Sequence, residues 1–350
     1  MTVAKRVPAF LVTIDTECDN AWARSHTVST RNAGYLPRFQ ALCERHGLRP
    51  TYLTNWEMAT DPVFQEFGHD VLARGAGEIG MHLHAWNSPP VIPLTEDDYR
   101  HHPYLIEYPE DQLREKVKVM TCTLEEVFGV KMLSHRAGRF SFDAVYARTL
   151  VEHGYRVDCS VTPNVSWSSY KGDPNGSGGT DFSTFPESPY FLDLDDIRRP
   201  GASPLLEVPV TVTAPYVSKA GRIVRSILET NRLGAKVARR LFPRCAWLYP
   251  KGNNHRALPG LLRAVEIGGR DHAELMIHSS ELMPGGSPRF PSHRSIAVLY
   301  DTLEALFTLA SKRFVGNTLS QYFHRFTSTT RADDPVLNGT NRGALEVLVR

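Results

Sequence analysis

AFLVTIDTECD, from Ala9 to Asp19, is an apolar run that ends in acids. Phe10 to Ile14 reads as a buried strand, and a side-chain period of two sends Asp15 and Glu17 to one side at its end. Two like charges held there repel unless a cation or a proton shares the site. A pair of solvated loop acids is the plain alternative for this segment alone.

Outward from this run, short apolar stretches alternate with helical patterns. Leu36 to His46 reads as a helix closed by Gly47, Arg49 to Leu53 as a strand, Pro62 to Arg74 as a helix and Glu78 to Leu83 as a strand. Pro109 to Phe128 is a long helix ending at Gly129, Lys131 to Leu133 a strand, and Phe142 to His153 a helix before Gly154. Later, Leu205 to Val212 and Glu274 to Ile277 read as strands and Ser295 to Phe314 as a helix. Repeated β-then-α units predict an α/β fold with a parallel sheet or barrel and helices outside. Chemistry in such folds gathers at the carboxyl ends of the strands. From Trp167 to Pro204 the composition shifts to Gly, Pro, Ser and Asp, a surface excursion long enough for a lid or substrate loop.

The 350 residues carry a formal charge of +2, 41% apolar and 22% charged residues, which describes an ordinary globular protein and gives no reason to expect nucleic acid. Five scattered cysteines form no C-x-x-C pair and read as free thiols of a reducing compartment. With no signal-like or membrane-length apolar run, a cytoplasmic protein is expected.

EIGMHLHAW, Glu78 to Trp86, repeats the first arrangement with histidines. His82 and His84 lie two apart on a strand-like stretch, and neutral imidazoles are the commonest ligands of zinc-like ions. A lone histidine here would more often be a hydrogen-bonded core residue. Gly75, Gly77 and Gly80 satisfy the dinucleotide fingerprint, but a helix precedes them and a strand follows, the reverse of that motif, so no nucleotide cofactor is expected.

These segments, with SHRAGRF (134–140), YRVDCS (155–160) and HSSELMPGGSP (278–288), resemble the polysaccharide deacetylase (NodB-homology) superfamily, carbohydrate esterase family four, over roughly Val7 to Phe326. They look most like the branch found in O-antigen and other surface-polysaccharide gene clusters. The resemblance implies a distorted (β/α) barrel, seven parallel strands, and a metal-dependent deacetylase. It implies Asp15 as base, Glu17, His82 and His84 as metal ligands, and Arg136 as the residue orienting the base. His278 becomes the general acid, tuned by Asp158. Two departures stand out: position 86 is Trp where most members place the second metal histidine, and Thr16 separates acids that most members hold adjacent. On spacing alone, which of Asp15 and Glu17 is ligand and which is base stays open.

One catalytic domain over 1–327, with an insertion at about 163–260, and a polar tail over 328–350 are expected. Zinc is the first expectation for the cation, with cobalt, nickel or iron accepting the same ligands. The expected partner is a carbohydrate or glycolipid. A non-catalytic carbohydrate-binding protein or an amidase or deformylase of a small amide are the competing readings. Lys219 to Arg244 reads as a basic amphipathic helix, with Ile223, Ile227, Val237 and Leu241 opposite Arg222, Arg225, Arg232, Lys236, Arg239 and Arg240. It is either a solvated outer helix or a contact with the inner face of the cytoplasmic membrane. Arg139 could touch substrate, Glu281 and Ser279 could orient His278, and Trp22, Trp86 and Trp167 could stack on sugar rings.

Overall fold

The computed structural model describes residues 7–21, 28–172, 176, 178–216, 218–241 and 245–333. Trp22 and the tail from 334 to 350 lie outside the described residues. Its strands are β1 (Ala9–Thr16), β2 (Thr51–Thr54), β3 (Glu78–Leu83), β4 (Ser134–Ala137), β5 (Val157–Asp158), β6 (Tyr190–Phe191), β7 (Leu206–Glu207), β8 (Val212–Thr213), β9 (Ala246–Trp247), β10 (His272–His278) and β11 (Val315–Asn317). Seven of them run parallel in the order β10-β1-β2-β3-β4-β5-β7, with β6 antiparallel at one end and β11 beside the start of β1. The sheet curls into a half-barrel with helices flanking it. Between β7 and β10 an irregular stretch stands in for a strand. Thr211 accepts from Leu248 N–H at 2.9 Å and its hydroxyl accepts from Glu274 N–H at 2.8 Å. This is the distorted barrel that the β-then-α pattern and the resemblance imply.

β1 shows how sequence pattern becomes architecture. Phe10, Val12 and Ile14 join the main core under the helices, where Phe10 meets Phe307 edge-on at 6.0 Å. Ala9 and Leu11 face the other way and pack with Leu53, Val157, Leu206, Leu319 and Tyr322 into an apolar plug. Further along the same inward face come Thr13, Asp15 and then Glu17. One end of the lumen is therefore sealed by hydrocarbon and the carboxyl end is lined by polar groups.

The helices are α1 (Leu36–Arg45), α2 (Pro62–Ala73), α3 (Glu110–Phe128), α4 (Ala144–Glu152), α5 (Lys219–Leu228), α6 (Arg232–Leu241), α7 (Leu258–Ile267), α8 (His293–Ala310) and α9 (Leu319–Asp333), with shorter turns between some of them. Several boundaries differ from the expected ones. β4 begins at Ser134, not Lys131, because its residues pair with β3 and β5 rather than following their own apolar run. The expected strand over 205–212 is split, since Pro209 has no N–H to donate to a ladder. The single helix expected over 219–244 is two helices, broken where Asn231 turns its side chain back to cap the Gly234 N–H at 2.8 Å. α9 continues past residue 327 to Asp333.

The segment leaving β3 toward the site is held from below. Lys116 on α3 is buried and its Nζ donates to the Ser88 and Pro90 carbonyls at 2.6 and 2.7 Å. Burial pushes this ammonium down to about 8 from 10.5. The folded chain therefore binds fewer protons than the unfolded one between those values, and stability gained from this residue rises with pH there. Lys116→Met is expected to cost about 1–3 kcal/mol at pH 7 in urea unfolding. The gap to wild type should widen as the pH is raised above 8; a narrowing gap contradicts this.

Candidate active site

β1, β3, β4 and β10 present their carboxyl ends to one cavity of about 400 Å³ whose lining includes Asp15, Glu17, His82, His84 and His278. Glu17, His82 and His84 are buried, and their ligand atoms lie within 4.8 Å of one another. His82 Nε2 stands 3.0 Å from His84 Nε2, while Glu17 Oε2 is 3.4 Å from His84 and 3.8 Å from His82. A cation about 2.0–2.2 Å from each atom spans every edge of this triangle.

The chemistry of these donors fits a cation. His82 Nδ1 lies 3.0 Å from the Arg136 carbonyl, which can only accept, so Nε2 keeps its lone pair for the cavity. Burial lowers His82 to about 4 and His84 well below its ordinary value, so both imidazoles are neutral. Burial, with Asp15, Glu57 and Glu281 nearby, raises Glu17 to about 8. No Lys or Arg among the described residues forms an ion pair with this carboxylate, and a bound divalent ion would supply positive charge beside it.

The second group of residues is built around Arg136, which is fully buried. Its guanidinium donates to Asp15 Oδ1 at 2.5 Å, to Thr13 Oγ1 at 2.8 Å, to the Cys159 carbonyl at 3.1 Å and to Glu274 Oε1. The two carboxylates do not share that charge equally. Burial raises Asp15 too, but Arg136, His82 and His278 outweigh it and hold the carboxyl below the usual range. Burial keeps Glu274 above it. Asp15, at the cavity, is thus the more acidic of the two. His278 Nε2 is 3.8 Å from Asp15 Oδ2. Burial alone would lower His278; the Glu281 hydrogen bond, with the charges of Glu17, Glu281 and Asp15, lifts it to about 9.

Asp158 is the exception among the expected site residues. It does not meet His278: its Oδ1 is 2.6 Å from His135 Nδ1, its neighbour across β4 and β5, and also accepts from Ser160 Oγ at 2.9 Å. The acid beside His278 is Glu281, in the turn after β10. Its Oε2 accepts from the His278 N–H at 3.1 Å and lies 3.3 Å from Nδ1, while Tyr249 donates to Oε1 at 2.6 Å. Glu274 was not singled out by the sequence reading, although it lies four residues before His278 on the same strand face. Tyr249 and Arg289 also join the site, through irregular segments that carry no sequence signal.

Trp86 takes no ligand position but stacks on His84 with ring centroids 4.5 Å apart, and on Tyr99 at 4.3 Å. His84 Nδ1 is buried with no hydrogen-bond partner among the described residues, so this stack is what orients the ring. Trp167 also lines the cavity; Cys18 and Cys159 do not, and burial pushes both thiols far up.

No family model matches the chain, and no curated protein matches it by sequence. Its fold, however, is shared with solved structures. A protein assigned as a polysaccharide deacetylase from Mycobacterium smegmatis superposes with a TM-score of 0.51 at 16% identity, over 94% of each chain. One assigned as a glycoside hydrolase/deacetylase from Parabacteroides distasonis gives 0.56 at 10% identity, over 95% of this chain and 74% of the other. A 4-alpha-glucanotransferase from Thermococcus litoralis gives 0.51 at 12%, over 92% of this chain but 41% of the other. The fold is thus that of the polysaccharide deacetylases, as the motifs imply. At such identities the likeness speaks for the fold, and the chemistry has to be argued from the site.

If the stack holds His84 in place, Trp86→Ala should weaken zinc binding about 10–100-fold in competition titrations with the fold intact by circular dichroism. Unchanged affinity would remove Trp86 from the account.

Proposed function

We propose that this chain is a metal-dependent deacetylase that removes the N-acetyl, or another N-acyl, group from an amino sugar of a surface glycan or its biosynthetic intermediate. The observation that carries this reading is one cavity holding Asp15 and His278 3.8 Å apart, next to three buried donors, Glu17, His82 and His84, close enough together to hold a cation. Zinc is the cation we place there first, on two neutral imidazoles and one carboxylate; cobalt, nickel and iron accept the same set. When bound, such an ion polarises the amide carbonyl and lowers the pKa of water. Asp15, kept ionised and aimed by Arg136, takes a proton from the attacking water as its oxygen bonds to the acyl carbon. His278, charged and held by Glu281, gives its proton to the nitrogen as the C–N bond breaks. The products are a carboxylic acid and the free amino sugar. That proton is needed because an amine anion is a very poor leaving group.

Asp15→Asn and His278→Ala should each lower acetate release from N-acetylglucosamine oligomers or nucleotide- and lipid-linked precursors about 10²–10⁴-fold, and chelation should abolish it. Sugar binding with no release under any metal would reassign the chain to the non-catalytic carbohydrate binders. Release undiminished in both variants would refute the mechanism.

We place the protein in the cytoplasm, where its five unpaired cysteines suit a reducing compartment, and in contact with an anionic membrane surface through α5 and α6. Among the described residues no helix is long and apolar enough to cross a membrane. Yet Ile223, Ile227 and Leu233 are 61%, 63% and 80% exposed, with Val224 and Val237 also open to solvent. Residues 218–245 carry Lys219, Arg222, Arg225, Arg232, Lys236, Arg239, Arg240 and Arg244 against the single acid Glu229. Exposed aliphatics among so many cations suit the interface of an anionic bilayer. Co-sedimentation with phosphatidylglycerol vesicles should exceed that with phosphatidylcholine and fall in Ile227→Asp and Leu233→Asp. Equal binding to both lipids, or a dimer that buries this face, would overturn the contact.

A further inference from the structure

The cavity contains more positive charge than its own acids need. Asp15 is neutralised by Arg136, and Glu281 by His278 and Arg289, the latter at 3.1 Å. Glu17 belongs to the cation site. Arg139 and Lys251 remain, both lining the cavity, and neither has an ion-pair partner among the described residues. They lie against aromatic rings instead. The Arg139 guanidinium is 5.5 Å from the Tyr104 ring centroid, and Lys251 Nζ is 5.6 Å from those of Trp247 and Tyr249.

The backbone under Arg139 is unusual. Arg139 has φ 54° and ψ 24°, and Phe140 follows with φ 57°, two successive left-handed residues of types that disfavour that region. They are fixed from several sides. The Ser141 N–H and hydroxyl both reach back to the Gly138 carbonyl at 3.2 Å, and Phe140 stacks on Trp167 at 5.5 Å. A Cβ on Gly138 would meet the Leu83 carbonyl and come within 2.5 Å of the His84 ring, so the turn is pressed against the end of β3 and His84. Strain of this kind persists only where surroundings over-determine it, and it gathers at ligand clamps. Its outcome here is a guanidinium presented to the cavity beside the place where the amide is cleaved. Lys251 stands over Trp247, whose ring is 5.7 Å from that of Phe140, the residue after Arg139; burial, with Arg289, pushes its ammonium down, an effect that an anion would reverse.

We propose that Arg139 and Lys251 form an anion subsite, so that the amino sugar accepted here carries a phosphate or carboxylate close to its N-acyl group. The proposal rests on the deacetylase reading for the place of that N-acyl group. Phosphate and carboxylate share the chemistry of a planar or tetrahedral oxyanion on a guanidinium and an ammonium. A sugar phosphate would point to a nucleotide- or lipid-linked intermediate, and a carboxylate to a uronic acid within the glycan.

Calorimetric titration of the full chain, dialysed free of metal so that phosphate does not report on the cation site, tests this. N-acetylglucosamine 1-phosphate and N-acetylglucosaminuronate are compared with neutral N-acetylglucosamine. At least one charged sugar should bind about 10-fold or more tightly than the neutral one, and the preference should shrink at about 0.5 M salt. Arg139→Gln and Lys251→Gln should each bring it within about threefold, while Arg139→Lys keeps part of it; thermal melting checks that each variant is folded. Which charged sugar is preferred identifies the oxyanion. Equal binding of charged and neutral sugars, or a preference unmoved in both glutamine variants, overturns the subsite. If the preference stands but no sugar loses its acyl group with metal restored, the deacetylase reading falls and the subsite remains. Release from neutral sugars with no charge preference would do the opposite.

Discussion

Arg136 is the constraint on which the site depends. A guanidinium with no solvent exposure is tolerable only if its charge and its donors are matched, and here two carboxylates, a hydroxyl and a carbonyl match them. Breaking a buried charge pair by removing one partner costs about 3–5 kcal/mol, so the geometry around this residue is stiff. Its main chain does a second job: the carbonyl receives the His82 N–H and thereby aims the opposite nitrogen at Glu17 and His84. One residue on β4 thus pairs with Asp15 and sets the tautomer of His82.

The rest of the barrel can be understood as support for that arrangement. The inward face of β1 changes from Ala9 and Leu11, packed against α9, to Thr13 and Asp15, bonded to Arg136. β10 lies in register along its whole length, pairing Asp15 with His278 at the cavity. Asp15 and His278, the proposed base and acid, are thus fixed by backbone ladders, whereas the partner of the His278 ring comes from the turn that follows, where Glu281 folds back onto it. Precision in the strands and adjustment in the loops is the usual division in α/β folds.

Most of this was legible wherever function rides on strand periodicity. Asp15 with Glu17, and His82 with His84, could be read as same-face pairs, and all four line one cavity, with Glu17 beside the two histidines. The fold class followed from the alternation of β and α patterns. Asp158 shows where the resemblance stops: its motif offered this residue as the acid that tunes His278, but only the lateral order of strands reveals that its neighbour is His135 rather than His278. Glu281, three residues from His278, could be read as a residue that orients it, and the two do meet, although a turn has no period to say which way a side chain points. Tyr249, Arg289 and the strained Arg139 arrive through irregular segments, and nothing local in their sequence places them. The helix break at Asn231 was missed because apolar periodicity continued across it.

The proposed cation site rests on a pair of histidines two apart, in place of the wider spacing common in the family that the motifs resemble. X-ray absorption fine structure at the zinc edge of the zinc-loaded chain tests it most directly. The expected first shell is two imidazole nitrogens and oxygen donors at about 2.0–2.2 Å, with no sulfur. A shell with a single imidazole, or one containing thiolate, would contradict it.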